Sequence, residues 1–277
     1  MDARLQNRIQ RYGWDRAVDR YEAAWSAQLR PGQDLVLALA DLRPRERVLD
    51  TACGTGLVSL RAAEIVAPGG HVLGTDISEG MVQAASAAKG AGQGLQFRRM
   101  AADALDVENA SFDAALCAFG LMYVPDPVAA LAELRRALRP GGRAAVVVWG
   151  PRARCGWAEI FPIVDARVES EVCPLFFQLG SGDALKMAME AARFDNIRIQ
   201  RIGVTLSYAS ADDALAAAFI AGPVALAYSK FDADTRDAAH AEYLASIEPY
   251  AVGAGYELPA EFVAGFGTRA AGTPPTE

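Results

Sequence analysis

The stretch that decides the fold reads VLDTACGTGL, residues Val48–Leu57. A short apolar strand ends in Asp50, a turn of small residues follows, and Leu57 begins a helical pattern. Small residues let the backbone approach a nucleotide-like ligand closely, and the start of a helix offers free N–H donors. The stretch therefore predicts a ligand site at the carboxyl end of a strand.

A second predicted strand ends in a carboxylate. Asp76 lies in GTDIS, residues Gly74–Ser78, roughly twenty residues after Gly56, a separation typical of nucleotide sites. A carboxylate at this position can accept hydrogen bonds from both hydroxyls of a ribose. Each motif alone is a weak signal, but together they predict an adenosine-containing cofactor.

Short apolar runs alternate with Ala-rich helical segments from residue 47 onward. Such alternation is typical of βαβ units and indicates an α/β protein with a parallel sheet. The predicted strands are Val48–Thr51, His71–Ile77, Leu95–Ala101, Phe112–Phe119 and Ala144–Trp149, and the helices between them lie near Leu57–Val66, Glu79–Lys89 and Val128–Leu138.

The flanking regions carry further predicted elements. Before the core, an aromatic-rich helical stripe runs from Trp14 to Leu29, Pro31-Gly32 is predicted to end that helix, and Asp34–Leu42 is predicted to form a second one. After Gly150, the pattern predicts a helix at Asp183–Ala192, a strand at Asn196–Tyr208, a helical stretch at Asp212–Ile247 and a last strand at Glu261–Arg269.

Composition excludes several classes of function. Of 277 residues, 52% are apolar and the net charge is −7, which favours a packed globular protein and disfavours binding to nucleic acid. Two histidines and four cysteines without a CxxC pair predict no metal site. We expect a cytoplasmic enzyme with a small-molecule acceptor, without a secretory signal or a membrane span.

Two residues bear on which cofactor is bound. A dinucleotide site favours the pattern GxGxxG, but Ser59 stands where the third glycine belongs, and Asp50 would repel a pyrophosphate. The carboxylate of Asp50 suits the cationic amino-acid end of S-adenosylmethionine (SAM). An NAD(P)-dependent oxidoreductase is the weaker alternative, since the cofactor half also lacks a Tyr-x-x-x-Lys pair.

Five motifs in order give the sequence a family resemblance. They are VLDTACGTG (Val48–Gly56), GTDIS (Gly74–Ser78), AADAL (Ala101–Leu105), FDAALCAFGLMYVPDP (Phe112–Pro127) and LRRALRPGGRAAVVVW (Leu134–Trp149). With these, the chain resembles the class I SAM-dependent methyltransferases, and within them the small-molecule branch that includes quinone-biosynthesis methyltransferases. The resemblance is good over residues 47–150 and loose outside them.

The resemblance implies a fold and a domain organisation. The expected fold is a doubly wound, mostly parallel seven-stranded sheet, the Rossmann-like methyltransferase fold, with N-terminal helices and a helical cap inserted late. We expect a helical lid at 1–46, a SAM-binding core at 47–150, and remaining core strands at 151–277 with cap insertions near 151–180 and 209–255. The cap segments could instead pack on a second subunit, which leaves a homodimer open.

The resemblance also implies cofactor contacts at the ends of the predicted strands. Asp50, Ala52, Gly54 and Gly56 would line the methionine portion, Asp76 would bind the ribose, and Ile77 and Met81 would lie against the adenine. Asp103, flanked by Ala102 and Ala104, would reach the adenine amino group, and Ala118 and Phe119 would lie near the methyl group. The family usually has glycine where this chain has Ala52.

Fewer signals bear on the acceptor. Trp14, Tyr21 and Trp25 either form an aromatic lid over the sulfonium, with Tyr21 touching the cofactor, or are only the buried stripe of a helix. His240 is interpreted as a solvated surface histidine. No catalytic residue is assigned, because methyl transfer from a sulfonium needs proximity, orientation, exclusion of water and at most one general base.

Two functions follow from these expectations. The first is transfer of a methyl group to an oxygen, nitrogen or carbon atom of a small, fairly apolar metabolite, with S-adenosylhomocysteine as the product. The alternative is a SAM-binding protein that transfers no methyl group, because its cofactor motifs would be the same.

Overall fold

A computed structural model describes residues 3–88, 94–168 and 175–271. The predicted helix end at Lys89, part of the first predicted cap insertion and most of the C-terminal tail lie outside these residues. The α-helices are α1 (Ala3–Ala40), α2 (Leu57–Val66), α3 (Glu79–Ala87), α4 (Pro127–Ala137), α5 (Ile160–Asp165), α6 (Ala184–Ala191), α7 (Ala211–Leu215), α8 (Ala225–Tyr228) and α9 (Ala233–Ile247). The strands are β1 (Arg47–Thr51), β2 (His71–Asp76), β3 (Leu95–Arg99), β4 (Phe112–Ala118), β5 (Leu138–Trp149), β6 (Asp195–Tyr208), β7 (Ala251–Val252) and β8 (Gly255–Thr268).

The described strands form one mixed sheet in the order β3-β2-β1-β4-β5-β8-β6. Strands β1 to β5 pair in parallel, whereas β8 runs antiparallel between β5 and β6. The two-residue β7 adds a short hairpin to β8. Apart from the short β7, the sheet has seven strands, and the predicted doubly wound, mostly parallel seven-stranded sheet is therefore confirmed.

Burial on both faces explains the strand pattern at the centre of the sheet. Leu49 of β1 pairs with Leu73 on one side and Ala115 on the other, and β4 is buried along almost its whole length. Strands covered on both faces are apolar throughout and do not alternate. The chain order reverses between β1 and β4, which is where α/β sheets open a ligand crevice.

The first helix differs from the prediction, because α1 continues through Pro31-Gly32 as one helix of 38 residues. Pro31 lies on the solvent side, while a Cβ on Gly32 would come within 2.5 Å of the Phe119 ring. Close packing of the bare helix backbone on that ring offsets the hydrogen bond that proline removes. No helix in the described ranges is both long and apolar enough to cross a membrane.

The predicted helical stretch Asp212–Ile247 is helical over most of its length but is not one helix, since it divides into α7, a π-helical turn (Ala216–Ile220), α8 and α9. The break falls at Gly222-Pro223. Proline offers no amide hydrogen to continue a helix. The interruption directs this short loop away from the helix, toward the carboxyl end of the sheet.

Strand β5 begins at Leu138, six residues before the predicted start. Residues Pro140–Gly142, which precede the predicted strand, are part of the paired segment, because the Gly141 amide donates to the Arg269 carbonyl at 2.9 Å and the Arg269 amide donates to the Gly142 carbonyl. Gly141 supplies the positive φ of 78° that this irregular start requires.

Two turns at the carboxyl end of the sheet pack directly on each other. Ala52, after β1, has φ 51°, and Phe119, after β4, has φ 61°, both in the left-handed region that costs a non-glycine residue about 1–2 kcal/mol. A Cβ on Gly120 would overlap the Ala52 side chain and come within 2.9 Å of Cys117 Sγ. Gly120 therefore makes room for the alanine where the family usually has glycine.

This packing predicts a compensating pair of substitutions. Gly120→Ala should lower the free energy of unfolding by about 1–3 kcal/mol, because the added methyl overpacks the two turns. Adding Ala52→Gly to the same chain should restore about half of the lost stability, because the clash of the new methyl group with Cys117 Sγ remains. Urea unfolding measures both. Gly203→Ala, which meets nothing within 4 Å, is the matched control, and additive effects at 52 and 120 would contradict the prediction.

Candidate functional site

Asp76 joins the loop after β1 to the start of α3. Its Oδ2 accepts from the Gly54 amide and its Oδ1 from the Ser78 amide, each at 2.9 Å. Burial raises the pKa of this carboxyl to about 6, although the two amides oppose the shift. Each carboxylate oxygen keeps lone-pair capacity beyond the one amide it binds, so the group can accept further donors from a ligand.

Asp50, at the end of β1, is a second buried carboxyl. Ser59 Oγ donates to its Oδ2 at 2.6 Å, whereas Oδ1 is buried and accepts from no atom in the described chain. Burial raises the pKa of Asp50 to about 7. A buried oxygen without a partner is costly, and a cationic ligand group beside it would relieve that cost.

Helix α1 covers the site from the N-terminal side. Asp15 Oδ1 accepts from Ser78 Oγ at 2.6 Å and from the Gly80 amide at 3.0 Å, which fastens α1 to the start of α3. Tyr21 is half-buried, and desolvation of its phenol together with the nearby charge of Asp76 raises its pKa well above the usual range. Tyr21 therefore remains a protonated donor next to Asp76.

Three cavities meet around Ala52. The central cavity, about 580 Å³ with its open mouth, is lined by Trp14, Tyr21, Trp25, Leu29, Ala52, Gly54, Asp76, Met81, Ala118, Phe119, Gly120, Tyr123, Trp149, Trp157, Gly222 and Pro223. The loop cavity is lined by Asn7, Gln10, Trp14, Ala52, Asp76, Ile77, Met100, Ala101, Ala102, Asp103, Gly120, Tyr123 and Val124. The strand cavity is lined by Tyr21, Gln33, Asp50, Ala52, Cys53, Leu57, Val58, Ala118 and Phe119.

Most of the sequence-predicted cofactor residues line these cavities. Ile77, Ala102 and Asp103 share the loop cavity, whereas Met81, expected beside Ile77, lines the central cavity instead. Gly56 and Ala104 line none of the three. A Cβ on Gly56 would come within 2.9 Å of the Phe97 ring, so this glycine serves close packing behind the loop, and Ala104 is exposed.

Aromatic rings form much of the central cavity. Trp14 meets Tyr21 and Tyr123 edge to face, with ring centroids 5.8 and 5.1 Å apart. Trp25 is 5% exposed and packs on Trp149 and Trp157 at 6.1 and 6.0 Å. Trp14, Tyr21 and Trp25 thus pack as a stripe along α1 and line the cavity, and their contact with a sulfonium stays a prediction.

Several lining residues gave no usable signal in the sequence. Gln33 is buried in the strand cavity, Asn7 and Gln10 reach the loop cavity, and Trp149 ends β5 inside the central cavity. Spacing could have grouped Asn7, Gln10 and Trp14 on one helix face. This face of α1 meets the end of β2 because of how the long helix crosses the sheet. Local spacing does not determine that crossing.

His240 is not the solvated surface histidine that the sequence suggested. Its ring is half-buried and stacks on Tyr228, whose hydroxyl lies 2.9 Å from His240 Nε2, and it also packs on Phe219. Burial lowers the pKa of His240. The Ala-rich context gave no sign of this aromatic neighbourhood, which forms only when α8 and α9 pack together.

Comparison with known proteins places the chain among enzymes. The family model described as "Methyltransferase domain" matches residues 48–142. Nocamycin O-methyltransferase of Saccharothrix syringae is 31% identical over 281 residues, covering 94% of this chain and 99% of the relative. The chain belongs to the SAM-dependent methyltransferase family. The predicted cofactor class is therefore confirmed, and the NAD(P)-dependent alternative is wrong.

Other relatives match over a shorter span. An uncharacterised protein of Mycobacterium tuberculosis is 39% identical over 135 residues, but the match covers only 48% of each chain. Demethylmenaquinone methyltransferase of Lactococcus lactis is 38% identical over 36% of this chain and 40% of its own, so the quinone-type branch is only distantly suggested. Like the family model, these matches leave much of the methyltransferase outside the shared core.

A solved structure supports the fold over most of the chain. A putative methyltransferase from Bacillus halodurans has a TM-score of 0.62 and 16% identity, covering 87% of this chain and 99% of the other. This likeness confirms the Rossmann-like methyltransferase fold predicted from the motifs.

The residues of this methyltransferase fit the cofactor of its family. The orphaned Oδ1 of Asp50 lies at the strand cavity, where a cationic amino-acid end would find a partner. Asp76 stands between the central and loop cavities, as a ribose-binding carboxylate should. Ala52, with its small side chain, lines all three cavities.

Replacing Asp76 tests its assignment to the ribose. Asp76→Ala should weaken SAM binding at least about tenfold, because one or two hydrogen bonds to a charged group contribute about 1.5–3 kcal/mol each. Calorimetry with SAM measures the dissociation constant, and the unfolding midpoint checks that the variant folds. Asp19→Ala, on the exposed face of α1, is the control. An unchanged dissociation constant for Asp76→Ala would show that the assignment is wrong.

The raised pKa values predict weaker SAM binding in acid. With the predicted contacts, ionised Asp50 and Asp76 would attract the cationic groups of SAM and accept from its ribose, and protonation would remove both effects. Burial raises these pKa values to about 7 and about 6. The affinity for SAM should therefore be constant above about pH 8 and should fall as the pH drops through the two pKa values. Calorimetric titrations with SAM across this pH range measure the dissociation constant, and Asp76→Asn should remove the pH dependence around the lower pKa. A pH-independent affinity would contradict the prediction.

Proposed function

We propose that this methyltransferase transfers the methyl group of SAM to an oxygen, nitrogen or carbon atom of a small, fairly apolar metabolite bound in the central cavity. The observation that carries the proposal is the junction of that aromatic cavity with the loop and strand cavities at Ala52. A cofactor in the two flanking cavities would present its reactive end to a molecule in the central one.

The proposed cofactor contacts follow the order of the cavities. Asp50 would attract the cationic amino-acid end, Gly54 and Ala52 would leave room for the chain of the cofactor, and Asp76 would accept from the ribose hydroxyls. Ile77 and Ala102 would flank the adenine, with Asp103 at its amino group. Met81 is assigned to the central cavity instead of the adenine, because that cavity is the one it lines.

The chemistry asks the protein mainly for placement. When bound, SAM supplies an activated methyl group on a charged leaving group. The chain's own residues would orient the two reactants and exclude water, as buried rings such as Trp25, Trp149 and Phe119 do at the central cavity. At most one general base is required, and only for an acceptor that must lose a proton.

Each predicted region contributes to the central cavity, which supports the proposed domain organisation. The lid region 1–46 contributes Trp14, Tyr21 and Trp25, and the core 47–150 contributes the cofactor loops. Trp157 comes from the first proposed cap insertion, and Gly222 and Pro223 come from the second. An acceptor would thus lie between the lid, the core and the cap.

The relative that matches over the whole chain carries O-methyltransferase in its name, which favours oxygen among the three acceptor atoms. The quinone-type assignment has weaker support, because the match to demethylmenaquinone methyltransferase covers only 36% of this chain. We therefore rank an oxygen acceptor on a small metabolite first.

Two measurements test the proposed function. Calorimetry should show binding of SAM and S-adenosylhomocysteine and none of NAD. Incubation with methyl-labelled SAM and a small-molecule extract of the cells that make the protein should then give a labelled product, with Asp76→Ala giving much less. Binding of SAM without transfer to any extract component would favour a SAM-binding protein that methylates nothing, and absence of SAM binding would refute both.

A further inference from the structure

Trp157 lines the central cavity, and its indole N–H is a buried donor without a partner among the described residues. The side chain is 3% exposed, and Nε1 donates to no atom of the described residues. Trp149 and Phe176 hold the ring at centroid distances of 4.8 and 5.5 Å, so the indole has little freedom to turn toward solvent. An unmet buried donor costs about 1–3 kcal/mol, which a ligand oxygen would recover.

The residues that line the central cavity, all within the described chain, include no histidine, lysine or glutamate. The carboxyl among them, Asp76, already binds two backbone amides and is assigned to the ribose. The phenol of Tyr21 keeps its proton, because burial and Asp76 both raise its pKa. The cavity thus offers donors and rings but no side chain placed to take a proton from the acceptor.

From this combination we propose that the acceptor is an oxygen acid that arrives already ionised, a carboxylate or an acidic enolate, with its charged oxygen bound by Trp157 Nε1–H. The proposal rests on the proposed function and specifies its substrate class. The acceptor oxygen forms a bond to the methyl carbon while the carbon–sulfur bond breaks and its electron pair stays on sulfur. The products are the methyl ester or enol ether and S-adenosylhomocysteine, and no proton moves.

The aromatic walls suit this charge pattern. An oxyanion and a sulfonium neutralise each other during transfer, so their charges are largest before reaction and smallest afterwards. An apolar, water-poor cavity stabilises separated ions less than water does, and it therefore favours the transition state over the bound ions. A neutral amine gains no such advantage, and a protonated amine has no lone pair to react while no base is present to free it.

Binding of a matched pair of probes tests the inference. In complex with sinefungin, a SAM analogue that carries a cationic amine in place of the sulfonium, the enzyme should bind 2-naphthoate at least about tenfold more tightly than the isosteric 2-naphthamide, because the opposite charge and the Trp157 hydrogen bond together offset the desolvation of the anion. Trp157→Phe should reduce that ratio to within about threefold. Trp25→Phe, which trims another indole of the same wall, should keep it. Equal or tighter binding of the amide, no binding of the acid, or a ratio that survives Trp157→Phe would overturn the proposal.

The chemistry of the labelled product gives an independent test. Label released as methanol by mild alkali identifies a methyl ester, and label released by dilute acid identifies an enol ether; either supports the proposal. Label that resists both, on a basic nitrogen, a carbon or an unactivated hydroxyl, overturns it. In that case methyl transfer itself would stand, so failure of the substrate class is distinguished from failure of the proposed function, which would show as SAM binding without transfer.

Discussion

The site depends on one buried carboxylate. Asp76 accepts from the amides of Gly54 and Ser78, and so fixes the loop after β1 against the end of β2 and the start of α3. Ser78 in turn donates to Asp15, which extends the same network to α1. Burial of this charge is unfavourable unless it is hydrogen-bonded, so the bonds from the two amides stabilise the positions of their loops. The loop after β1, the start of α3 and helix α1 are therefore joined by one hydrogen-bond network.

The long helix α1 is the second determinant of the site. It supplies rings to the central cavity, polar residues to the loop cavity and Gln33 to the strand cavity. One continuous helix can reach all three because Gly32 lets its backbone lie against Phe119. A similar close contact joins Ala52 and Gly120, where the methyl group of Ala52 fits because residue 120 has no side chain. At both positions a glycine of one element leaves the space that a side chain of another element fills.

The sequence predicted the parallel core strands, the reversal of strand order and the positions of Asp50 and Asp76, because short-range patterns encode where strands end. Ile77, Ala102 and Asp103, which it predicted near the adenine, line one cavity, and their contacts with the cofactor stay predictions. Gly56 lines none of the three cavities and packs against Phe97, a contact that no spacing indicates, and its predicted cofactor contact also stays a prediction. The sequence-based prediction was wrong at Pro31, where local propensity indicated a helix end but packing of the next residue on the sheet decided otherwise.

The sequence alone determined the part of the chain predicted to bind the cofactor. There a strand, a turn of small residues and a helix follow one another at a short spacing, and this pattern can be recognised without knowing any distant contact. What only the tertiary structure decided is the acceptor half. Trp157 comes from a region with no clean period, Gly222 and Pro223 come from a stretch that the pattern predicts to be helical, and only the tertiary structure brings them to one cavity with Trp25. Cofactor motifs are local and periodic, whereas the acceptor cavity is assembled from single side chains whose proximity no spacing encodes.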